Sequence, residues 1–324
     1  MYKVLIPEDV DSSGKDYLLE RGYEIKVGVP TDIETLKREI ADADALLARI
    51  ARFPEEVLAA GKKLKVIARH GVGVDTVAVD YAESQGIWVV NAPLSNGNTV
   101  AECAVAMIMA LECDLIRLDR KTREGDWTYR EHLKRRDLAG LTLGIVGFGR
   151  IGRMVAEKVS GLGMKILTYH PRKHPETPLM VEHTTDFSRI LSSSDYLGVF
   201  VPSTSETRGM FNYAAFSAMK PSAYYINCAR GDTYVEADLA RALDEGRLAG
   251  AAVDVFDPEP RFDSPLYRMD QVIVTQHSAG LSVEANYKMS LDAAKGIDEI
   301  LRGDKPTWPV NHPAHPRADS TVSP

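Results

Sequence analysis

The sequence predicts an α/β protein built from two doubly wound layers, each a parallel sheet with helices on both faces. Three observations carry that prediction. Short apolar runs alternate with helical patterns over roughly the first ninety residues. A second alternating series begins near Leu141. One long helical pattern, from about Thr99 to Glu124, separates the two series. Such alternation implies βαβ units, whose crossovers make neighbouring strands parallel. A chain of 324 residues has room for about two domains of this kind.

In the first series, Tyr2–Ile6, Tyr23–Val27, Ala45–Ala48, Val66–Ala68 and Trp88–Val90 read as strands. Thr31-Asp32-Ile33-Glu34 has the capping-box pattern, in which the Thr oxygen meets one orphan N–H and the Glu reaches back. Pro54-Glu55-Glu56 suits a first helical turn, because Pro there loses no needed donor and the acids face a positive dipole end. The second series places strands near Leu141–Val146, Lys165–Tyr169, Tyr196–Val201, Ala223–Asn227, Ala251–Val253 and Val272–Thr275. A last amphipathic helix is expected from Ser282 to Arg302. The Pro-rich stretch after it has no periodicity and reads as a loose tail.

Composition narrows the function. Apolar residues make up 44% and charged residues 26%, the balance of a globular chain. Acidic residues outnumber basic ones 46 to 39, for a net charge of −7, which argues against a general nucleic-acid binder. Cys103, Cys113 and Cys228 form no CxxC pair and no disulfide framework. No window reaches the length of a membrane span, and no metal site is expected. A reduced, cytoplasmic protein is the expectation.

The most informative stretch is Gly147-Phe148-Gly149-Arg150-Ile151-Gly152, which leaves a β run and enters a helical one. That context turns GxGxxG into a dinucleotide-binding fingerprint. Gly147 permits the tight turn, Gly149 lets the backbone approach a pyrophosphate, and Gly152 lets helix and strand pack closely. The helix N-terminus offers its N–H groups to the phosphates. An acid about 20 residues on normally binds the ribose 2′-hydroxyl. Here the next strand runs into His170-Pro171-Arg172-Lys173 instead. A carboxylate repels a 2′-phosphate, whereas Arg172 and Lys173 pair with one. The cofactor is therefore expected to be NAD(P), with NADP(H) favoured by His170, Arg172 and Lys173 and NAD(H) left open.

Three segments follow the fingerprint in order: Asn227-Cys228-Ala229-Arg230-Gly231-Asp232, Asp254-Val-Phe-Asp-Pro-Glu259-Pro260, and Gln276-His277-Ser278-Ala279-Gly280. Together with the fingerprint they resemble the D-isomer-specific 2-hydroxyacid dehydrogenase family, from about Ala45 to Met289. The resemblance implies two Rossmann-like domains: a flavodoxin-like substrate domain of residues 1–98 and 283–310, and a dinucleotide-binding domain of residues 99–282 inserted in it. Residues 311–324 remain as the tail. It also implies a homodimer.

The family match gives His277 the role of acid–base, Glu259 that of its orienting carboxylate, and Arg230 that of a grip on the substrate carboxylate and C2 oxygen. Each residue type suits its task. Imidazole titrates nearest neutrality, a carboxylate fixes its tautomer, and a guanidinium keeps its charge. The family often has Pro where Gln276 stands, so the loop before His277 departs from pattern. Asp254 resembles the acid that bonds the nicotinamide carboxamide. By the same match Thr99, Val201, Pro202, Thr207, Cys228, Ala229, Ala279 and Gly280 face the cofactor. The Val72 and Gly73 amides receive the substrate carboxylate, and Asn96 faces substrate near an interdomain hinge.

Within the family, Leu47-Ala48-Arg49 and Ala68-Arg69-His70-Gly71-Val72-Gly73 are most similar to phosphoglycerate dehydrogenases. Arg49 and Arg69 correspond to basic residues turned toward substrate phosphate there. The expected function is hydride transfer at C2 of a small anionic or phosphorylated 2-hydroxy acid. A glyoxylate/hydroxypyruvate reductase is the alternative, favoured by the basic loop. A nucleotide-sensing, corepressor-like binding protein is the alternative of another class.

Overall fold

In a computed structural model the described residues are 1–171 and 181–317. They form two compact units, one of Met1–Asn96 together with the residues from Leu281 onward, the other of Gly97–Gly280.

The first unit is built on a five-stranded parallel sheet of β1 (Lys3–Ile6), β2 (Glu24–Val27), β3 (Ala45–Ala48), β4 (Val66–Arg69) and β5 (Trp88–Val90), in the order β2-β1-β3-β4-β5. That is the flavodoxin-like order, whose switch point lies between β1 and β3. All four residues of β3 are buried, as a strand covered on both faces must be. Helices α1 (Ser12–Glu20), α2 (Ile33–Ile40), α3 (Glu55–Leu58) and α4 (Val79–Ser84) supply the crossovers. The expected Thr31 cap is corrected. Asp32 is the N-cap of α2, and its carboxylate accepts the Thr35 N–H at 2.9 Å. A carboxylate also answers the helix dipole, which a hydroxyl does not.

The second unit carries β6 (Thr142–Val146), β7 (Lys165–Tyr169), β8 (Glu182–Thr184), β9 (Tyr196–Val199), β10 (Tyr224–Asn227), β11 (Gly250–Val253) and β12 (Val272–Val274). Their order is β12-β11-β10-β9-β6-β7-β8, all parallel, with the switch point between β6 and β9. This is the dinucleotide-binding order with one strand added at an edge. β8 was not expected from the sequence. α5 (Gly97–Glu112) and α6 (Leu115–Arg123) precede the sheet, and α7 (Arg150–Ser160), α8 (Phe187–Ser193), α9 (Tyr213–Ser217) and α10 (Glu236–Asp244) lie in its crossovers. The single helix expected over 99–124 is two, α5 and α6. Asp114 breaks it with φ of 51°, a left-handed conformation that interrupts the hydrogen-bond ladder.

The chain then returns to the first unit as α11 (Val283–Leu301), capped by Ser282, whose hydroxyl accepts the Ala285 N–H at 3.0 Å. Ala293, Ala294, Ile297 and Ile300 of α11 share a core with Val4, Leu47, Val66 and Ala68. α11 crosses α1 closely: a Cβ on Gly14 would lie 2.4 Å from Ser290 Oγ.

Residues 311–317, expected as part of a loose tail, are instead pinned. Asn311 is buried, its Oδ1 accepting the Val89 N–H at 2.7 Å and its Nδ2 donating to Ile87 O at 2.9 Å. Arg317 Nη1 donates to Gly61 O at 2.9 Å. The two Asn311 bonds satisfy backbone groups at and just before the edge strand β5.

Candidate active site

Three loops at the carboxyl ends of β10, β11 and β12 bring the expected catalytic residues together. Asn227, at the end of β10, is fully buried and organises the first loop. Its Oδ1 accepts the Ala229 N–H at 2.8 Å, and its Nδ2 donates to Arg230 O and Thr233 Oγ1. This clamps the turn that presents the half-buried Arg230. Gly231 then passes so close to the second loop that a Cβ would lie 2.0 Å from Phe256 C. Only glycine allows the loop bearing Arg230 and the loop bearing Glu259 to run so close together.

Glu259 Oε1 accepts the Phe256 N–H at 2.8 Å, and Oε2 lies 2.7 Å from His277 Nδ1. Burial pushes the Glu259 carboxyl up, but the bond and charge of His277, the Phe256 N–H and the Arg230 guanidinium outweigh it and hold the group below its usual value. Glu259 therefore stands as a carboxylate, and its bond to Nδ1 leaves Nε2 as the nitrogen that can handle a substrate proton.

His277 has φ of 53°, a conformation uncommon outside glycine and found at functional sites. Asp254 holds it there. The His277 N–H donates to Asp254 O at 2.7 Å. The buried Asp254 carboxylate accepts from Thr275 Oγ1 at 2.6 Å, Ser278 N at 2.7 Å and Ala279 N at 3.0 Å. The loop with Gln276 in place of Pro is thus fixed from both sides of His277. This employment of Asp254 was not legible in the sequence.

The fingerprint lies at the switch point of the second sheet. Gly147 has φ of 98°, and a Cβ there would meet Phe200 C at 2.7 Å and Val201 N at 2.8 Å. A Cβ on Gly152 would lie 2.4 Å from Gly147 O, so helix and strand pack at glycine distance. Gly149 faces open space. It is also the N-cap of α7 and makes no side-chain cap bond, so the first turn of the helix keeps backbone amides suited to an anion. Open space beside uncapped amides fits a dinucleotide pyrophosphate. Phe148 is buried core, with His183 edge-on to its ring.

Around this turn, Thr207 Oγ1 donates to Pro202 O at 2.6 Å and folds back the loop that begins at Val201. Cys228 is buried with Sγ 3.7 Å from Met107 Sδ, and burial pushes its thiol well up, so it is a packing residue without thiolate character. Ala279 is buried and Gly280 ends the unit. Thr99 lies in the first turn of α5. His170 follows β7, its N–H donating to Thr184 O at 3.3 Å. Arg172 and Lys173 lie outside the described residues.

In the first unit, the expected substrate residues gather at the carboxyl edge of its sheet. Arg49 follows β3 and donates from Nη1 to Asp9 O at 3.0 Å. Arg69 ends β4, and its Nη1 donates to His70 O. Val72 and Gly73 lie in a loop held by Asn91, whose Nδ2 donates to Val72 O at 2.7 Å, and by the Ala92 N–H bond to Gly71 O at 2.9 Å. Asn96 closes this segment, with Oδ1 buried and no hydrogen-bond partner among the described residues. His70, between Arg69 and the glycine loop, was not singled out in the sequence.

Residues 105–279 match the family described as "D-isomer specific 2-hydroxyacid dehydrogenase, NAD binding domain". That match covers the fingerprint and the three residues Arg230, Glu259 and His277. The chain belongs to this family. A D-3-phosphoglycerate dehydrogenase of Archaeoglobus fulgidus is 36% identical over 96% of this chain and 60% of its own length. The chain therefore spans about three fifths of that relative. A hydroxypyruvate reductase of Thermotoga maritima is 33% identical over 93% of this chain and 98% of its own length. Among solved structures, an NADPH-dependent glyoxylate/hydroxypyruvate reductase of Sinorhizobium meliloti in complex with NADP and malonate superposes with a TM-score of 0.86. It is 28% identical and covers 95% of this chain and 96% of its own. No described helix is long and apolar enough to cross a membrane.

Proposed function

We propose that this chain is an NAD(P)-dependent D-2-hydroxyacid dehydrogenase acting on a small anionic or phosphorylated 2-hydroxy or 2-oxo acid, in the manner of a D-3-phosphoglycerate dehydrogenase. The observation that carries the reading is the 2.7 Å pair of His277 Nδ1 and Glu259 Oε2, on loops of the sheet that also bears the fingerprint. A bound nicotinamide supplies the hydride acceptor or donor. The chain supplies the proton chemistry and the grip. In oxidation His277 takes the C2 hydroxyl proton at Nε2, and Glu259 steadies the imidazolium that results. In reduction the proton returns by the same route. Arg230 holds the substrate carboxylate and polarises the C2 oxygen. The amides at Gly149–Ile151 hold the pyrophosphate.

NADP(H) is the favoured cofactor. No acid stands at the end of β7 to repel a 2′-phosphate, and Arg172 and Lys173 are basic. Arg49 and Arg69 suit a phosphorylated substrate. The proposed assembly is a homodimer in the cytoplasm; Leu115, Ile116 and Trp127, in and after α6, are exposed apolar side chains that a second copy could cover. A glyoxylate/hydroxypyruvate reductase is the second reading, favoured by the Thermotoga relative matched over nearly its whole length.

The deciding experiment is a panel of 2-oxo acids, with and without phosphate, run with NADH and NADPH and followed by loss of reduced-nicotinamide absorbance. Turnover of 3-phosphohydroxypyruvate ahead of hydroxypyruvate and glyoxylate is the expected result. The reverse order selects the reductase. Nucleotide binding without turnover of any acid overturns the enzyme reading in favour of a nucleotide sensor.

A further inference from the structure

The first unit contains a buried polar group for which the proposed chemistry has found no use. His70 follows β4 directly, at the carboxyl end of the sheet where open α/β sheets bind ligands and one strand from the β1/β3 switch point. It is 6% exposed, and its Nε2 has no hydrogen-bond partner among the described residues. A buried imidazole nitrogen without a partner costs free energy, and at the carboxyl end of an open sheet a bound ligand is a partner that offsets that cost. Its backbone is fixed by the His70 N–H bond to Ala48 O at 2.8 Å, so the ring belongs to the sheet edge and not to a mobile loop.

The charges facing His70 say what that ligand is. Arg49, from the loop after β3, and Arg69, at the end of β4, both act on the ring, and Asp11, ahead of α1, acts in the opposite sense. Helix α11 packs on the same strand, but there it brings Met289 near Gly71 and Ser290 near Asp11. The charged residues of that stretch, Lys288, Asp292 and Lys295, act on one another. His70 thus sits in a net positive field. Burial, then Arg49, then Arg69 drive it down to about 4, which keeps the ring neutral. Asp11 offsets only part of that push, and Asp9 also couples to Arg49; a phosphate brought against the two guanidiniums adds between about one and two further negative charges near neutral pH.

We propose that His70 is a specificity-determining residue that reads the distal phosphate of the substrate, donating to a phosphate oxygen while its ring takes up a proton from solvent. This rests on the reading of the chain as a dehydrogenase of anionic 2-hydroxy acids. A phosphate that engages Arg49 and Arg69 replaces a repulsive field at the ring with an attractive one. The ring then binds its proton near neutral pH and adds a charge-assisted hydrogen bond. Unphosphorylated acids leave His70 neutral and its nitrogen unmatched, so discrimination sharpens as pH falls from about 8 toward 7, where the phosphate still keeps most of its second charge.

The test has two arms on the full chain. In the first, histidine-selective nitrogen NMR follows His70, assigned by the resonance missing from His70→Gln, during titration with inorganic phosphate, D-3-phosphoglycerate and D-glycerate. The expected result at about pH 7 is conversion of His70 to imidazolium by both phosphates and not by D-glycerate. In the second, kcat/KM for 3-phosphohydroxypyruvate over hydroxypyruvate is compared between the natural chain and His70→Gln. The ratio falls about tenfold or more in the variant, and its rise toward acid pH disappears. A ring that stays neutral under saturating D-3-phosphoglycerate overturns the proposal, as does an unchanged ratio in a folded variant or a natural chain that prefers hydroxypyruvate. Should no acid be turned over at all, the dehydrogenase reading fails by itself, and the response of His70 to inorganic phosphate still decides the residue's role.

Discussion

Asp254 grips the loop of His277 at both of its chemical ends: its carbonyl accepts the His277 N–H at 2.7 Å, and its carboxylate accepts the Ser278 and Ala279 amides. The left-handed φ of His277 is held by those bonds. Asp254→Asn keeps the shape but turns half of the side chain from acceptor to donor. One loop amide then faces an NH2 group, and His277 loses its fixed pose. The expected outcome is a fall in kcat of about tenfold to a hundredfold. Because the fold keeps its other contacts, thermal stability should drop by no more than about 3 kcal/mol. Steady-state kinetics beside a melting curve check this, and a variant with full kcat removes Asp254 from the positioning role.

Glu259 is held in its charged form by His277, so the two act as a unit. Glu259→Gln leaves a neutral amide against Nδ1, which can still orient the ring but cannot stabilise an imidazolium. The loss should appear in kcat, by about a hundredfold, with KM for the nucleotide unchanged. His277→Asn should cost more, about a thousandfold or beyond, because the proton then has no acceptor. The double variant should be little worse than His277→Asn, since removing the carboxylate matters only through the imidazole. Additive losses would show that Glu259 acts independently.

Gly152 lies where a Cβ would come within 2.4 Å of Gly147 O. Gly152→Ala must push α7 off β6 and with it the amides at Gly149–Ile151. Nucleotide affinity should fall about tenfold or more, while overpacking costs about 1–3 kcal/mol of stability. Nucleotide-fluorescence titration separates the two effects. Gly149→Ala is the contrast, because its Cβ meets no protein atom within 4 Å. It should leave stability alone and weaken only the bound pyrophosphate.

The parts of this molecule that announce themselves in sequence are those with a repeating physical cause. Buried parallel strands such as Ala45–Ala48 need continuous apolar runs, so they could be read directly. The fingerprint could be read because each glycine answers a backbone demand. What stayed hidden has no period. β8 is Glu182-His183-Thr184, a polar edge strand with one buried residue. The break at Asp114 rests on a single left-handed residue, and the pinning of 311–317 rests on the Asn311 amide meeting β5. Asp254 and Asn227 sit in recognisable motifs, yet their grip on the catalytic loops is a matter of which amides the fold aims at them. His70 was hidden for the same reason, since an apolar-looking run gives no sign that its one imidazole lies buried among cations.

His70 also makes a prediction about stability that needs no substrate. Its ring is held at about 4 in the fold against about 6.5 in an unfolded chain. Between those values the unfolded chain binds the proton more readily, so stability rises with pH across the window. The sign is therefore fixed: the fold is unpenalised above about pH 6.5, loses about 2 kcal/mol by about pH 5, and loses more toward pH 4. His70→Gln cannot take that proton. In phosphate-free buffer its melting temperature should fall less steeply than that of the natural chain between about pH 7 and 5, with the two curves converging or crossing on the acid side. Other acidic losses, such as protonation of Glu259, occur lower and are common to both chains. Adding inorganic phosphate should flatten the natural chain's curve toward the variant's, because the ring then titrates nearer its ordinary range. Parallel curves at every pH would mean that the ring is not the buried, neutral group on which the phosphate-reading role depends.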